Sequence, residues 1–273
     1  NYSWHDAIRE NNPRTAAGNP CGFDTITPCD DLGHGTHVTG IMVGDDGQGN
    51  QVGMAPGASW IGCRNMEQGW GTPASYTECF EWFVAPYPLG GDPLTDGDPS
   101  KAPHAIVNSW SCPAAEGCTD PNIMLATVDN VRLAGIVTVQ AASNAGGQCS
   151  TLSSPAAIYD SSVTVGATNS SDTIYGSSAR GPVLVDGSNR LKPDISAPGV
   201  GIVSTVLSGG YSTNTGTSMA APHVVGLAAL LIATNPDLAG QVNTIEMIMQ
   251  ETAVPKTTNN GCGGDSETAV PNH

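Results

Sequence analysis

Short apolar runs alternate with longer helical patterns along most of the chain. Near-continuous runs of Val, Ile and Ala predict strands at 59–64, 105–110, 135–142, 162–167 and 201–206. The segments between and after them predict helices at 34–43, 75–84, 123–134, 218–234 and 238–251. Because unbroken apolar strands are covered on both faces, the sheet should be mainly parallel. The pattern predicts a doubly wound α/β fold with helices on both faces and a site at the carboxyl ends of the strands.

The 273 residues contain no internal repeat and no linker that would divide them. Since α/β folds commonly reach roughly 250 residues as one unit, we expect a single domain over residues 1–273. The most apolar run, 219–233, contains Pro222. It is also shorter than the roughly 20 residues that a bilayer crossing needs, so no membrane span is predicted.

The excess of acidic side chains argues against nucleic acids and anionic membranes as partners. Acidic side chains outnumber basic ones by 25 to 9, which gives a formal net charge of −16. Nucleic-acid affinity depends on Lys and Arg neutralising phosphates, so DNA or RNA binding is not expected. An anionic membrane surface is disfavoured for the same reason.

The chain has eight cysteines and no C-x-x-C pair, which favours disulfides over a zinc or redox motif. Eight cysteines allow about 105 connectivities, so spacing alone leaves the pairing open. Short separations suggest three local pairs and one long tether: Cys21 with Cys29, Cys63 with Cys79, Cys112 with Cys118, and Cys149 with Cys262. Disulfides indicate a secreted protein, whereas the alternative, eight buried thiols in a cytosolic protein, fits less well.

Ser218 stands in Gly216-Thr217-Ser218-Met219-Ala220-Ala221-Pro222, directly before the longest apolar helix pattern. A serine there lies at the positive end of the helix dipole, where free backbone N–H groups can hold an oxyanion. Pro222 is expected in the first turn, where its missing N–H would have had no helical partner. For an isolated serine, a simple N-cap would be the better interpretation.

His34 stands in Gly33-His34-Gly35-Thr36-His37-Val38 at the start of another predicted helix. Flanking glycines leave room for a substrate, which suits a general base. His34 and His37 are spaced as metal ligands can be, but no H-E-x-x-H pattern or third ligand accompanies them. We therefore expect His34 to be a base and His37 to be a packed helix residue.

Asn144 follows the predicted strand 135–142, at the edge of the sheet where an active site is expected. Its amide could donate to an oxyanion. The alternative is an asparagine in a strand-ending turn with Gly146 and Gly147.

The three blocks around His34, Asn144 and Ser218 together resemble those of the subtilisin-like serine proteases, the subtilases. The stretches 52–58, 178–182 and 192–199 match the family as well, and Asn108-Ser109-Trp110-Ser111 resembles its bacillopeptidase F-like subgroup. The resemblance covers nearly the whole chain.

The resemblance implies a serine endopeptidase with Ser218 as nucleophile, His34 as general base and Asn144 as oxyanion donor. It implies that a peptide lies as an added strand between 109–111 and the loop 68–72. The residues implied in substrate binding are Ser109, Trp110, Ser111, Gly69, Trp70, Gly71, Ala141, Ala142 and Ser143. Trp70 and Trp110 either line this cleft or are buried core residues.

The acid of the triad lacks its family motif. The family carries it in an Asp-Ser/Thr-Gly block on a first strand, and Asp6, Asp24, Asp30 and Asp31 do not match that block. The chain also stops at 269–273, where the family continues into a turn and a final helix. We therefore expect the domain to be incomplete at both ends, without its first strand and last helix, and its activity to be impaired.

Two other functions remain open at this point. One is a non-catalytic binding or structural module that never had the acid, and the other is a general esterase using the same acyl transfer. Ser218 and His34 both stand in complete sequence blocks of the resembled family, and this favours the protease.

No cofactor is expected for the chemistry. The loop Asp45-Asp46-Gly47-Gln48-Gly49-Asn50 offers oxygen ligands for a structural calcium ion, and the alternative is an acidic turn, which explains the loop equally well. The remaining expectations are polypeptide substrates, a monomer and an extracellular location.

Overall fold

The computed structural model describes residues 1–15, 18–256 and 262. Its strands are β1 (Trp4–Asp6), β2 (Gly62–Arg64), β3 (Met66–Glu67), β4 (Trp70–Gly71), β5 (Ala105–Asn108), β6 (Val137–Ala141), β7 (Val163–Thr168), β8 (Ile195–Pro198), β9 (Ile202–Thr205) and β10 (Tyr211–Asn214). Its α-helices are α1 (His34–Val43), α2 (Pro73–Val84), α3 (Leu125–Leu133), α4 (Thr217–Thr234) and α5 (Val242–Thr252).

The centre of the fold is a parallel sheet in the order β5-β6-β7-β8. Every residue of β6 and β7 is buried. Val139 in the middle of β6 lies beside Val107 on one side and Val163 on the other. The predicted parallel α/β sheet is therefore confirmed, and its continuous apolar runs reflect burial on both faces.

Helices cover both faces of this sheet. Ile136 packs into a cluster with Tyr76, Phe80 and Val128, which belong to α2 and α3. Val137, the next residue, packs into a second cluster that includes residues of α4 and α5. Ile136 directly precedes β6, and successive side chains of an extended segment point to opposite faces, so this alternation places the helices on opposite sides.

Two predicted strands lie outside the central sheet. Residues 62–64 pair in parallel with β1, and 202–205 pair with β10 in an antiparallel hairpin. Strands β1, β3, β4, β8 and β10 were not predicted. The sequence Trp-His-Asp of β1 lacks an apolar run although all three residues are buried, and β8 ends on Pro198.

The helix bounds agree closely with the prediction at α1 and differ elsewhere. The last helix begins at Val242 rather than 238, because a 3₁₀ turn at Pro236–Leu238 precedes it. The expectation that a closing helix is missing was based on residues 269–273, which lie outside the described residues, so it stays a prediction.

All four suggested disulfides are present, with Cα–Cα distances of 5.0 to 5.8 Å. Three of these disulfides each close a short loop of the chain. The fourth, Cys149–Cys262, joins residues 113 positions apart. Cross-links of this kind restrict the unfolded chain, most strongly for the longest loop.

By length and apolar composition α4 is the one described helix that could span a membrane. Half of it is buried inside the protein. It packs against the central sheet through Ala221, Val224 and Ala228, which is the position of a core helix.

Candidate active site

Ser218 lies in the first turn of α4, which begins at Thr217 after Gly216. Gly216 has φ 153°, a conformation that side chains disfavour, and a Cβ there would lie 3.2 Å from Asn144 Nδ2. The first N–H groups of a helix have no helical acceptor. The N–H of Ser218 is therefore free to face a substrate oxygen at the positive end of the helix.

Pro222 lies inside α4, not in its first turn, which corrects the expectation from the sequence. An N–H at position 222 would have bonded the carbonyl of Ser218, four residues earlier. Because proline lacks that donor, this carbonyl accepts a hydrogen bond from Ser109 Oγ at 2.9 Å instead. Ser218 Oγ in turn donates to the carbonyl of Ser109 at 3.1 Å.

Asn144 is held by the start of α4. Its Oδ1 accepts from the N–H of Thr217 at 3.0 Å and from Thr217 Oγ1 at 3.3 Å. A backbone N–H can only donate, so the amide oxygen must face Thr217 and Nδ2 must point away from it. Asn144 is exposed and therefore presents a donor beside Ser218 that a ligand can reach.

His34 is the first residue of α1 and is half-buried. Asp30 caps this helix: its carboxylate accepts from the N–H of Gly33 at 2.7 Å and from the N–H and hydroxyl of Thr36 at 2.8 and 2.7 Å. Burial holds the pKa of His34 below its ordinary value of 6.5, while the charge of Asp30 partly opposes the shift. At neutral pH this shift favours the neutral imidazole, the form that a general base needs.

Two hydroxyl groups of β9 fix the position of α1. Ser204 Oγ donates to the carbonyl of His37 at 2.7 Å, and Thr205 Oγ1 donates to the carbonyl of Thr36 at 2.9 Å. This approach requires Gly40, because a Cβ there would lie 2.3 Å from both hydroxyl oxygens. His37 is fully buried as expected, and its Nε2 is 3.1 Å from the carbonyl of Ser212.

Helix α1 packs against α4, and Val38, Ile41 and Met219 form one cluster between them. This packing brings the first turns of both helices into the same region. Within the described residues no hydrogen bond joins His34 to Ser218, whose hydroxyl points to Ser109 instead.

Two of the acids weighed as triad members share one arginine. Asp6 ends β1 and accepts from Arg64 Nη1 at 3.2 Å and from the N–H groups of Ile8 and Thr25. Asp31 accepts from Arg64 Nη2 at 2.8 Å. All three side chains are buried, so the negative charges of the two carboxylates compensate the positive charge of the Arg64 guanidinium.

The other two acids are also engaged elsewhere. Asp24 pairs with Arg9, and Asp30 caps α1. None of the four is hydrogen-bonded to His34, although all lie in the described part of the chain.

One known protein family matches most of the chain. The sequence profile of the subtilase family, peptidase S8, matches residues 10–267. The chain belongs to the subtilase family.

Individual subtilases are similar in sequence to this chain along most of its length. Bacillopeptidase F of Bacillus subtilis (strain 168) is 36% identical over 283 residues, which cover 95% of this chain and 19% of that protein. Serine protease AprX of the same organism is 32% identical over 250 residues, which cover 77% of this chain and 51% of that protein. The chain thus spans about a fifth of one relative and about half of the other.

The solved structure of Sphericase superposes on this subtilase with a TM-score of 0.70 at 25% identity. The match covers 91% of this chain and 75% of that one. The fold predicted from the sequence therefore agrees with that of a solved relative.

The segments expected to bind substrate lie in different settings. Ser109 is buried beside Ser218, and Trp110 and Ser111 are half-buried. Gly69, Trp70 and Gly71 belong to the β3–β4 hairpin, in which Gly71 is buried. Ala141 and Ala142 are buried at the end of β6, and Ser143 follows with φ 83°. Both tryptophans are thus neither fully buried nor fully exposed.

Three contributors to the site carried no sequence signal of their role. Thr217 orients Asn144, the hydroxyl of Ser109 replaces the donor that Pro222 lacks, and Asp30 caps the helix of His34. Each acts through a hydrogen bond whose geometry depends on the folded backbone.

The loop that suggested calcium is already hydrogen-bonded internally. The Asn50 side chain, the N–H groups of Gln48 and Asn50, and the hydroxyl of Tyr211 all donate to the Asp46 carboxylate and lower its pKa to about 2. In the described residues no group of three His, Cys, Asp or Glu is placed to hold a metal ion. The donors within the loop thus engage the Asp46 carboxylate, and calcium binding at this loop stays a prediction.

Proposed function

We propose that this subtilase is a secreted serine endopeptidase that cleaves peptide bonds through an acyl-enzyme. The observation that carries the proposal is the hydrogen bond from Thr217 N–H to Asn144 Oδ1, since it holds the Asn144 amide at the residue before Ser218 and leaves Nδ2 free to donate to a ligand. A fixed donor beside a helix-borne hydroxyl is the arrangement that oxyanion stabilisation requires.

In the proposed reaction, Ser218 Oγ attacks the carbonyl carbon of the scissile bond while His34 accepts the hydroxyl proton. The carbonyl oxygen becomes an oxyanion that Asn144 Nδ2 and the N–H of Ser218 stabilise. His34 returns the proton to the leaving amine, the C–N bond breaks, and the acyl group stays on Ser218. A water molecule then releases the acyl group with His34 again as base.

For this reaction the Ser218 hydroxyl must leave the carbonyl of Ser109 and turn to the imidazole. We propose that an acid from outside residues 1–273 orients His34 for this contact. The engagement of Asp6, Asp24, Asp30 and Asp31 with other groups supports this proposal. Strands β2 and β5 each have one paired neighbour in the described sheets, which leaves an edge to receive an additional strand.

The acid matters because it fixes the tautomer and orientation of the base. In subtilisin, a member of the same family, loss of the acid alone lowers kcat by about 3 × 10⁴. We therefore expect residues 1–273 by themselves to be impaired.

We propose that substrates are polypeptides that add a strand between 109–111 and the β3–β4 hairpin. The four disulfides favour an oxidising, extracellular location. The net charge of −16 supports a soluble protein without affinity for nucleic acid. We further propose a monomer with no cofactor for the chemistry.

The test is reaction with a fluorophosphonate followed by peptide mapping, in a form that includes the sequence preceding residue 1. We expect one adduct on Ser218, absent from Ser218→Ala and strongly reduced in His34→Ala. Peptide binding without any adduct would instead indicate a non-catalytic binding module. Hydrolysis of simple esters with no cleavage of denatured protein would indicate an esterase.

A further inference from the structure

Tyr76 is fully buried between the two segments that are proposed to bind substrate. Its ring stacks on Trp110 with centroids 3.9 Å apart and an interplanar angle of 8°. On another side it packs against Gly71, where a Cβ would lie 2.4 Å from Tyr76 Cζ. One side chain thus contacts both walls of the proposed cleft.

The hydroxyl of Tyr76 is held by a buried acid. It donates to Glu116 Oε2 at 2.7 Å, and Glu116 is only 8% exposed. The backbone N–H of Gly71 also faces both the hydroxyl oxygen of Tyr76 and the carboxylate of Glu116. Burial raises the pKa of Glu116, and hydrogen bonds from Tyr76 and Gly71 oppose this shift. These contacts restrict where the ring of Tyr76 can lie.

Glu116 belongs to a loop that the Cys112–Cys118 disulfide closes with a separation of six residues. The same loop reaches the hairpin by a second route. Arg14 Nε donates to the carbonyl of Ala115 at 2.6 Å, and the Arg14 guanidinium lies 5.3 Å from the centre of the Trp70 ring. The loop is therefore connected to Trp110 and Gly71 through Tyr76, and to Trp70 through Arg14.

We propose that the loop 112–118 is a brace that sets the spacing of the two walls, with Glu116 and Tyr76 as positioning residues for extended peptides. This inference rests on the proposed function, because the walls are those proposed to bind a peptide strand. Backbone pairing with both walls needs a fixed gap, since hydrogen bonds weaken steeply when the geometry is lost. A short ligand beside Ser218 spans less of these walls than an extended peptide does, and therefore gains less from their spacing.

The experiment compares a tetrapeptide amide with a dipeptide amide on the 273-residue chain, using calorimetry to measure Kd. Glu116→Ala removes the acceptor, Tyr76→Phe removes the hydroxyl but keeps the stacked ring, and Glu116→Gln keeps an acceptor. Asp120→Asn is the matched control, because it removes an exposed charge beside the loop without touching Tyr76. Thermal unfolding is recorded for each variant so that affinities are compared only between folded proteins.

We expect Glu116→Ala and Tyr76→Phe to weaken tetrapeptide binding about tenfold and to change dipeptide binding less than twofold. Glu116→Gln should restore most of the affinity. In a catalytically competent form, the same variants should raise KM for the tetrapeptide with kcat nearly unchanged. Equal effects on both peptides, or none on either, would overturn the brace.

Binding distinguishes this proposal from the proposed function. If the wild-type protein binds the tetrapeptide more tightly than the dipeptide, but a form that includes the sequence preceding residue 1 gives no adduct on Ser218, the peptidase is contradicted and the brace stands. A wild-type protein that hydrolyses both peptides with no length-dependent loss in the variants would contradict the brace alone.

Discussion

Ser109 and Ser218 exchange two hydrogen bonds, each hydroxyl donating to the carbonyl of the other residue, at 2.9 and 3.1 Å. Pro222 explains one of them, because the helix cannot supply a donor to the carbonyl of Ser218. The proposed nucleophile is thus tied to the end of a neighbouring strand.

Replacing Ser109 by Ala should leave the partly buried carbonyl of Ser218 without a donor from the protein. A fully buried acceptor left unsatisfied costs about 1–3 kcal/mol, so for this partly buried carbonyl the free energy of unfolding should fall by about 1 kcal/mol, the lower end of that range. Chemical denaturation measures the loss. Ser111→Ala is the control, since this half-buried serine lies two positions further along the same segment. Equal stability of the two variants would contradict the role of Ser109.

Asn144 allows catalysis to be separated from structure. Asn144→Asp keeps an oxygen for the N–H of Thr217 but has no amide donor and adds a negative charge. In an active form, we expect kcat to fall about 10²–10³-fold or more, as for loss of an oxyanion donor, with KM little changed. Steady-state kinetics on a peptide substrate test this. A kcat within threefold of wild type would remove Asn144 from the proposed mechanism.

Gly40 lies where α1 meets β9. A Cβ at this position would overlap Ser204 Oγ and Thr205 Oγ1 at 2.3 Å, and overpacking of this kind costs about 1–3 kcal/mol. Gly40→Ala should therefore lower the melting temperature and displace His34. Gly57→Ala is the matched control, because no atom lies within 4 Å of its added Cβ. Identical melting temperatures for the two variants would show that α1 does not depend on this approach.

The pH dependence follows from His34. Burial lowers its pKa below 6.5 in the folded chain, so the unfolded chain binds the proton more readily. Its contribution to stability is therefore present above pH 6.5 and is lost as the pH falls through the folded pKa. An NMR titration of the His34 ring in the 273-residue chain should give a midpoint below 6.5. An acid placed behind the ring should then raise that midpoint, because it favours the imidazolium.

The sequence identified the parts of the site that lie in contiguous motifs. Helix α1 was predicted with its observed bounds, and the blocks of His34, Asn144 and Ser218 each end or begin an element as expected. These features are local because a helix start or a strand end is encoded by its own residues.

The features that escaped prediction depend on residues far apart in the chain. Ser109 and Ser218 are separated by 109 positions, and Glu116 meets Tyr76 across 40. Pro222 was expected in the first turn, where a missing N–H has no effect. It lies inside α4, where the missing N–H leaves the carbonyl of Ser218 to accept from Ser109 instead. Strand β1 was missed because burial of His5 and Asp6 comes from tertiary contacts that an apolar pattern does not reveal.

The rate of fluorophosphonate labelling at Ser218 tests the central claim most directly. It should be measured on residues 1–273 and on a form extended by the sequence that precedes residue 1, with Ser218→Ala as the blank in both. The account predicts that the extended form is labelled faster by several orders of magnitude, since an acid then orients His34. Equal labelling of the two forms would contradict it.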